Sequence, residues 1–85
     1  MSEKATVKIR LYVDKKDIMY LNSIIDSYEG VGIVRTINRH KGQVVIYTTK
    51  SQKDVLISIL EALRKEGVTL EIVGVIENEE IDSWN

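Results

Sequence analysis

A two-layer α+β domain, reading strand, helix, strand, strand, helix, strand, is the fold class this sequence predicts, and three observations carry the prediction. The first is alternation: Val7, Ile9, Leu11 and Val13 interleave with Lys8, Arg10 and Tyr12, the period of two expected of a strand with one buried face. The second is helical spacing, with Ile18, Leu21, Ile25 and Tyr28 in one stretch and Leu56, Ile59, Leu60 and Leu63 in another, so that each helix offers one apolar stripe. The third is an internal repeat. Lys16-Asp17-Ile18-Met19 matches Lys53-Asp54-Val55-Leu56, and Glu29-Gly30-Val31 matches Glu66-Gly67-Val68, at one constant offset and without a gap. The same offset lays Val7 and Ile9 on Val44 and Ile46, so the chain reads as two copies of a strand–helix–strand unit.

Taken in order, the first strand runs through Val7–Val13 and ends at Asp14, which suits a helix N-cap, with Asp17 placed to favour the positive end of the helix dipole. The first helix follows and stops at Gly30, where a left-handed backbone is least costly. A second strand is expected from Val31 to about Arg39. The short polar segment Asn38 to Gly42 then predicts a hairpin into a third, antiparallel strand through Val44 and Ile46. Ser51 and Asp54 take the capping places of the second helix, Gly67 its stop, and a fourth strand runs from Val68 to about Ile76. No proline interrupts these elements. Interleaving two such units, each with a right-handed crossover, yields a ferredoxin-like βαββαβ sandwich: an antiparallel four-stranded sheet in the order 4-1-3-2 with both helices on one face.

At 85 residues the chain is expected to be a single domain with its core over about 5–76 and an acidic tail over 77–85. Folding would bury roughly 60% of the surface of the unfolded chain. Phe is absent, so the core must be aliphatic. Twelve basic against thirteen acidic residues leave a net charge of −1, which supplies no general attraction for a polyanion. The absence of Cys excludes disulfides, thiolate metal sites and a cysteine nucleophile, and one His cannot build a multi-histidine metal centre. No stretch approaches the run of about 20 apolar residues that spans a bilayer, and Met1 to Thr6 carries no signal-peptide core. The expectations are therefore a cytoplasmic location, no cofactor, no metal, no membrane contact and no enzymatic activity.

The predicted topology leaves one sheet face without a helix layer. Lys8, Arg10, Tyr12, Val45 and Tyr47 are expected there, joined from the outer strands by Val34, Thr36, Glu71, Val73 and Val75. Several of these are apolar or aromatic, where a fully wetted face would carry more charge, so Lys8, Arg10, Tyr12, Val45, Tyr47 and Val73 are the candidate ligand or partner surface. A second candidate is the basic hairpin, in which Arg35, Arg39, His40 and Lys41 could contact an anion or could simply be solvated cations that blunt an edge strand. In the tail, Ile81 and Trp84 stand among Glu77, Glu79, Glu80 and Asp82, and Trp84 is a candidate anchor onto this chain or a neighbour. Gly30 and Gly32 lie between a helix and a strand, the reverse of the order a dinucleotide fingerprint requires. No nucleophile with its base, metal cluster or phosphate loop can be assembled.

Leu11-Tyr12-Val13 resembles the first motif of RNA-recognition domains, and Lys41-Gly42 begins like their second, although Gln43 and Val45 stand where that motif needs aromatics. From Val7 to about Val75, the chain resembles a family of short bacterial proteins of unknown function found mainly in anaerobic Firmicutes and Thermotoga-like lineages. The resemblance rests on Tyr12-Val13-Asp14, Lys16-Asp17-Ile18, the Gly30 hinge, and Gly42 with Val44-Val45. More remotely, Asp14 after the first strand and Gly30-Val31 before the second are placed as in ACT domains. That likeness implies a regulatory module that binds a small molecule and pairs into a homodimer. Nucleic acid is the less favoured partner.

Overall fold

The computed structural model describes residues 6–77, so all of the tail beyond Glu77, including Trp84, lies outside the described residues. The elements are β1 (Thr6–Val13), α1 (Ile18–Ser27), β2 (Ile33–Asn38), β3 (Gln43–Thr49), α2 (Lys53–Lys65) and β4 (Leu70–Ile76), with a 3₁₀ turn at Lys15–Asp17 leading into α1. The fold is the expected α+β arrangement, a four-stranded antiparallel sheet in the order β2-β3-β1-β4.

The alternation of β1 sets the inside of the molecule. Val7, Ile9 and Leu11 are fully buried, and the pairing with β3 brings Ile46 opposite Ile9 and Val44 opposite Leu11. Against this row pack Ile18, Leu21 and Ile25 of α1 and Leu56, Leu60 and Leu63 of α2, so both helices cover the same face. Removing a leucine or isoleucine side chain from water in this way stabilises the fold by about 1.5–3 kcal/mol per residue. Thr48 is the one buried polar side chain among the described residues, and its hydroxyl donates to the Val31 carbonyl at 2.7 Å.

Several sequence expectations need correction. Tyr28 is half exposed because α1 ends at Ser27 and Tyr28 is already extended. Asp14 caps the 3₁₀ turn, accepting from the Lys16 amide at 3.2 Å, and α1 starts only afterwards. Gln52, not Ser51, occupies the N-cap of α2, while the Ser51 hydroxyl lies 3.2 Å from that of Thr49. The repeat holds in the central strands and at the helix stops, where Gly30 and Gly67 both have positive φ. It fails on the helix faces: Ile18 is buried while its repeat mate Val55 is exposed, and Met19 is exposed while Leu56 is buried.

The outer strands also depart from the expected phase. Pairing sets Ile33 opposite Tyr47 and Arg35 opposite Val45, so Ile33 and Arg35 share the open face, and Val34 and Thr36 turn to the helix side. The difference begins at Gly32, where the chain passes so close to β3 that a Cβ would lie 2.9 Å from Ile46 Cγ2 and 3.0 Å from the Tyr47 carbonyl. The repeat mate of Gly32 is Thr69, which no such crossing could accommodate. In β4 a register shift between Arg10 and Leu11 of β1 inserts Val73 as an extra residue, so that Gly74 faces Arg10 and Val75 faces Ile9 on the helix side. Of the five outer residues expected on the open face, Glu71 lies there opposite Tyr12, and Val73 occupies the exposed bulge.

Candidate ligand and partner surfaces

Three rungs of the β1–β3 ladder build the centre of the open face: Lys8 with Tyr47, Arg10 with Val45, and Tyr12 with Gln43. Strand β2 adds Ile33 and Arg35, and β4 adds Glu71 and Ile76. Sequence reasoning missed Ile33, which is 71% exposed, because its phase is set by the register of β2 on β3. Val45 has no exposed surface even though it faces away from the helices; it lies between Arg10 and Arg35 in register, and Arg10 Nε is itself shut off from solvent. Arg35 Nη1 donates a long 3.5 Å hydrogen bond to the Tyr47 hydroxyl, which orients both side chains along one edge of the face.

The structure separates the four residues of the expected anion contact. Arg35 belongs to the sheet face, whereas Arg39 leaves the hairpin towards the β1–α1 connection and lines a cleft of about 440 Å³ with Asp14, Lys15, Lys16 and Met19. His40 and Lys41 are exposed on the hairpin loop and do not line that cleft. Asp17 ties the region down, accepting from Lys16 Nζ at 3.0 Å and from the Thr69 amide at 3.2 Å. The Lys16 ammonium first, and then the Thr69 N–H, hold the Asp17 carboxyl below the ordinary carboxylate range. The Asp17 hydrogen bond in turn raises the Lys16 ammonium above its usual value.

Two further surfaces are apolar or structural. Between the helices a groove of about 280 Å³ runs along Ile24, Tyr28, Val55, Ile59 and Ala62. Near its Glu66 end, the Tyr20 hydroxyl donates to Glu66 Oε1 at 3.2 Å, which joins α1 to the end of α2 and raises the phenol above its ordinary range. At the far end of the sheet, Lys53 Nζ contacts Glu77 Oε2 at 2.6 Å, linking the start of α2 to the residue after β4. That hydrogen bond raises the Lys53 ammonium and lowers the Glu77 carboxyl.

Among the described residues, no group of three or more His, Cys, Asp and Glu side chains is placed to hold a metal ion, and no helix is long and apolar enough to cross a membrane. No curated protein and no solved structure matches the chain. Residues 11–66, which run from the middle of β1 to the end of α2 and include Ile33, Arg35 and all the residues of the basic cleft, match a family described as a domain of unknown function, DUF4911. That match spans more than half of the sequence, and the chain therefore belongs to the DUF4911 family.

Proposed function

We propose that this chain is a non-enzymatic binding or regulatory module, ACT-like in its working, that self-associates through its sheet. The observation that carries the reading is the state of the β2 edge. Among the described residues, strand β2 pairs on one side only, with β3, and its first residue, Ile33, is the most exposed isoleucine. The opposite edge is blunted by the Val73 bulge and by Glu71, devices that discourage pairing, while β2 carries no proline and keeps its irregularity at the hairpin end.

Charge favours sideways pairing of two copies over face-to-face stacking. Stacking two open faces would bring Lys8, Arg10 and Arg35 of one copy towards the same residues of the other, and among the described residues Glu71 is the acidic side chain in register with them on that face. Antiparallel pairing of two β2 strands across a twofold axis avoids this and continues the sheet to eight strands. A register centred on Val34 sets Ile33 of each copy beside the aliphatic stem of Arg35 of the other and keeps the two Arg35 side chains from facing one another. The two open faces then form one continuous surface on which a small-molecule ligand could be shared.

Sedimentation velocity at high micromolar concentration is expected to show a dimer. Ile33→Lys places a cation next to Arg35 of the other copy and should weaken association about tenfold or more, with an unchanged circular dichroism spectrum. A wild-type chain that stays monomeric at those concentrations overturns the reading.

A second reading, binding of single-stranded RNA, is favoured by one observation: Tyr12 and Tyr47 do share a face with Lys8, Arg10 and Arg35. Against it, the two tyrosines stand four rungs apart, about 13 Å along the strands, and the rung midway between them holds the buried Val45 in place of a stacking ring. If this reading holds, fluorescence anisotropy will show salt-dependent binding to a single-stranded RNA that Tyr12→Ala weakens by about tenfold. Binding that ignores both salt and the substitution removes it.

A further inference from the structure

We propose that the cleft between the β1–α1 connection and the β2–β3 hairpin is a binding site for a small phosphorylated anion, held by Lys15, Lys16 and Arg39. Its two walls come from parts of the chain that the fold clamps together. On one side, the Val13 amide donates to the Gly42 carbonyl at 2.8 Å, the Gly42 amide donates to the Arg39 carbonyl at 3.2 Å, and Asn38 Oδ1 accepts from the Lys41 amide at 3.0 Å. The hairpin tip is thus closed on itself and fastened to the end of β1. On the other side, the Asp14 amide donates to the Thr69 carbonyl at 2.9 Å, its carbonyl accepts from the Asp17 amide at 2.8 Å, and its carboxylate accepts from the Lys16 amide. Arg39 and the two lysines therefore ride on backbone that is already fixed, which lowers the ordering cost of capturing a ligand.

The charge of the cleft selects the ligand class. Three cations against the carboxylates of Asp14 and of Asp17, which pairs with Lys16 at 3.0 Å, leave a local excess of one positive charge on a chain whose net charge is −1. The Asp14 carboxylate is engaged by a backbone N–H, and Lys16 is shared with Asp17 at 3.0 Å, so Lys15 and Arg39 carry most of the attraction. A carboxylate is a planar monoanion that one guanidinium satisfies. A forked guanidinium and the Lys15 ammonium lining one cleft, with Lys16 beside them, fit a tetrahedral dianion better. The cleft, about 440 Å³, is open to solvent and large enough to admit pyrophosphate. Arg35, expected from the sequence to join Arg39, takes no part because its side chain is committed to Tyr47 across the sheet. The site is independent of the β2 edge, so it stands whether or not two copies pair.

The test is a titration of the full chain with inorganic pyrophosphate and, in parallel, with inorganic phosphate at constant ionic strength, followed by amide chemical shifts and by calorimetry. Pyrophosphate should shift the amides of residues 14–19 and 38–42 and bind more tightly than phosphate. Arg39→Gln and Lys15→Gln, both at exposed positions, should each weaken pyrophosphate by about tenfold. Arg35→Gln should change it by less than about twofold. The proposal is overturned if those amides do not move, if neither cleft variant weakens binding, or if Arg35→Gln weakens it as much as Arg39→Gln does.

Discussion

Alanine at position 42 is expected to destabilise the fold by about 3 kcal/mol or more, a large loss for so small a change. Gly42 has φ of +70°, a conformation that costs an L-residue roughly 1–2 kcal/mol. A Cβ there would also run into the Val13 carbonyl oxygen, which is backbone and cannot rotate aside. Relief requires the hairpin to lift from β1, at the expense of the hydrogen bond from the Val13 amide to the Gly42 carbonyl. The lift would move Arg39 away from Lys15 and Lys16, so any variant that folds should also lose pyrophosphate affinity. Gly30 is the control: it too has positive φ, but nothing lies within 4 Å of a Cβ built on it, so Gly30→Ala should cost only the backbone term. Urea denaturation of the two variants measures the difference, and equal losses would show that the Gly42–Val13 contact contributes nothing.

Truncation of Ile46 to alanine is expected to cost about 2–5 kcal/mol, because the cavity would open in the middle of the layer between sheet and helices. Ile46 is fully buried, pairs with Ile9 and touches the close crossing at Gly32, where neighbours have little room to collapse into the space. Val45, one residue earlier, is equally buried but faces the other way, between Arg10 and Arg35. Flexible arginine stems can settle into a space left by a valine, so Val45→Ala should cost clearly less, about 1–2 kcal/mol. Thermal and urea unfolding of the pair checks the assignment of inner and outer faces. A larger loss at Val45 than at Ile46 would invert it.

Much of the fold was legible in the residues, and the misses share one cause. Alternation through Val7–Val13 and the match of Val44 and Ile46 identified the two central strands and their buried faces, and those strands carry Lys8, Arg10, Tyr12, Val45 and Tyr47 on the open side as expected. The errors lie where two halves of similar sequence take different environments. Val55 and Met19 carry apolar side chains at repeat positions whose mates are core residues, yet both face solvent, since each helix is rotated to suit its own neighbours on the sheet. Arg35 and Arg39 line different surfaces for a related reason. They are near in the chain, but Arg35 lies within a strand whose side chains alternate in direction, and Arg39 lies beyond it in the turn.

The sequence by itself determined the order and kind of the elements, the inner faces of β1 and β3, and the glycines that stop the helices. These follow from local covalent geometry, which repeats every two residues in a strand and every 3.6 in a helix. Only the tertiary structure decided which side Ile33, Arg35 and Val75 face, and that Arg39 meets Lys15 and Lys16. One extra residue at Val73 reverses the direction of the side chains that follow it in β4, and the phase of β2 is set by its pairing with β3 from Ile33 onward. No pattern within the outer strands themselves records that choice.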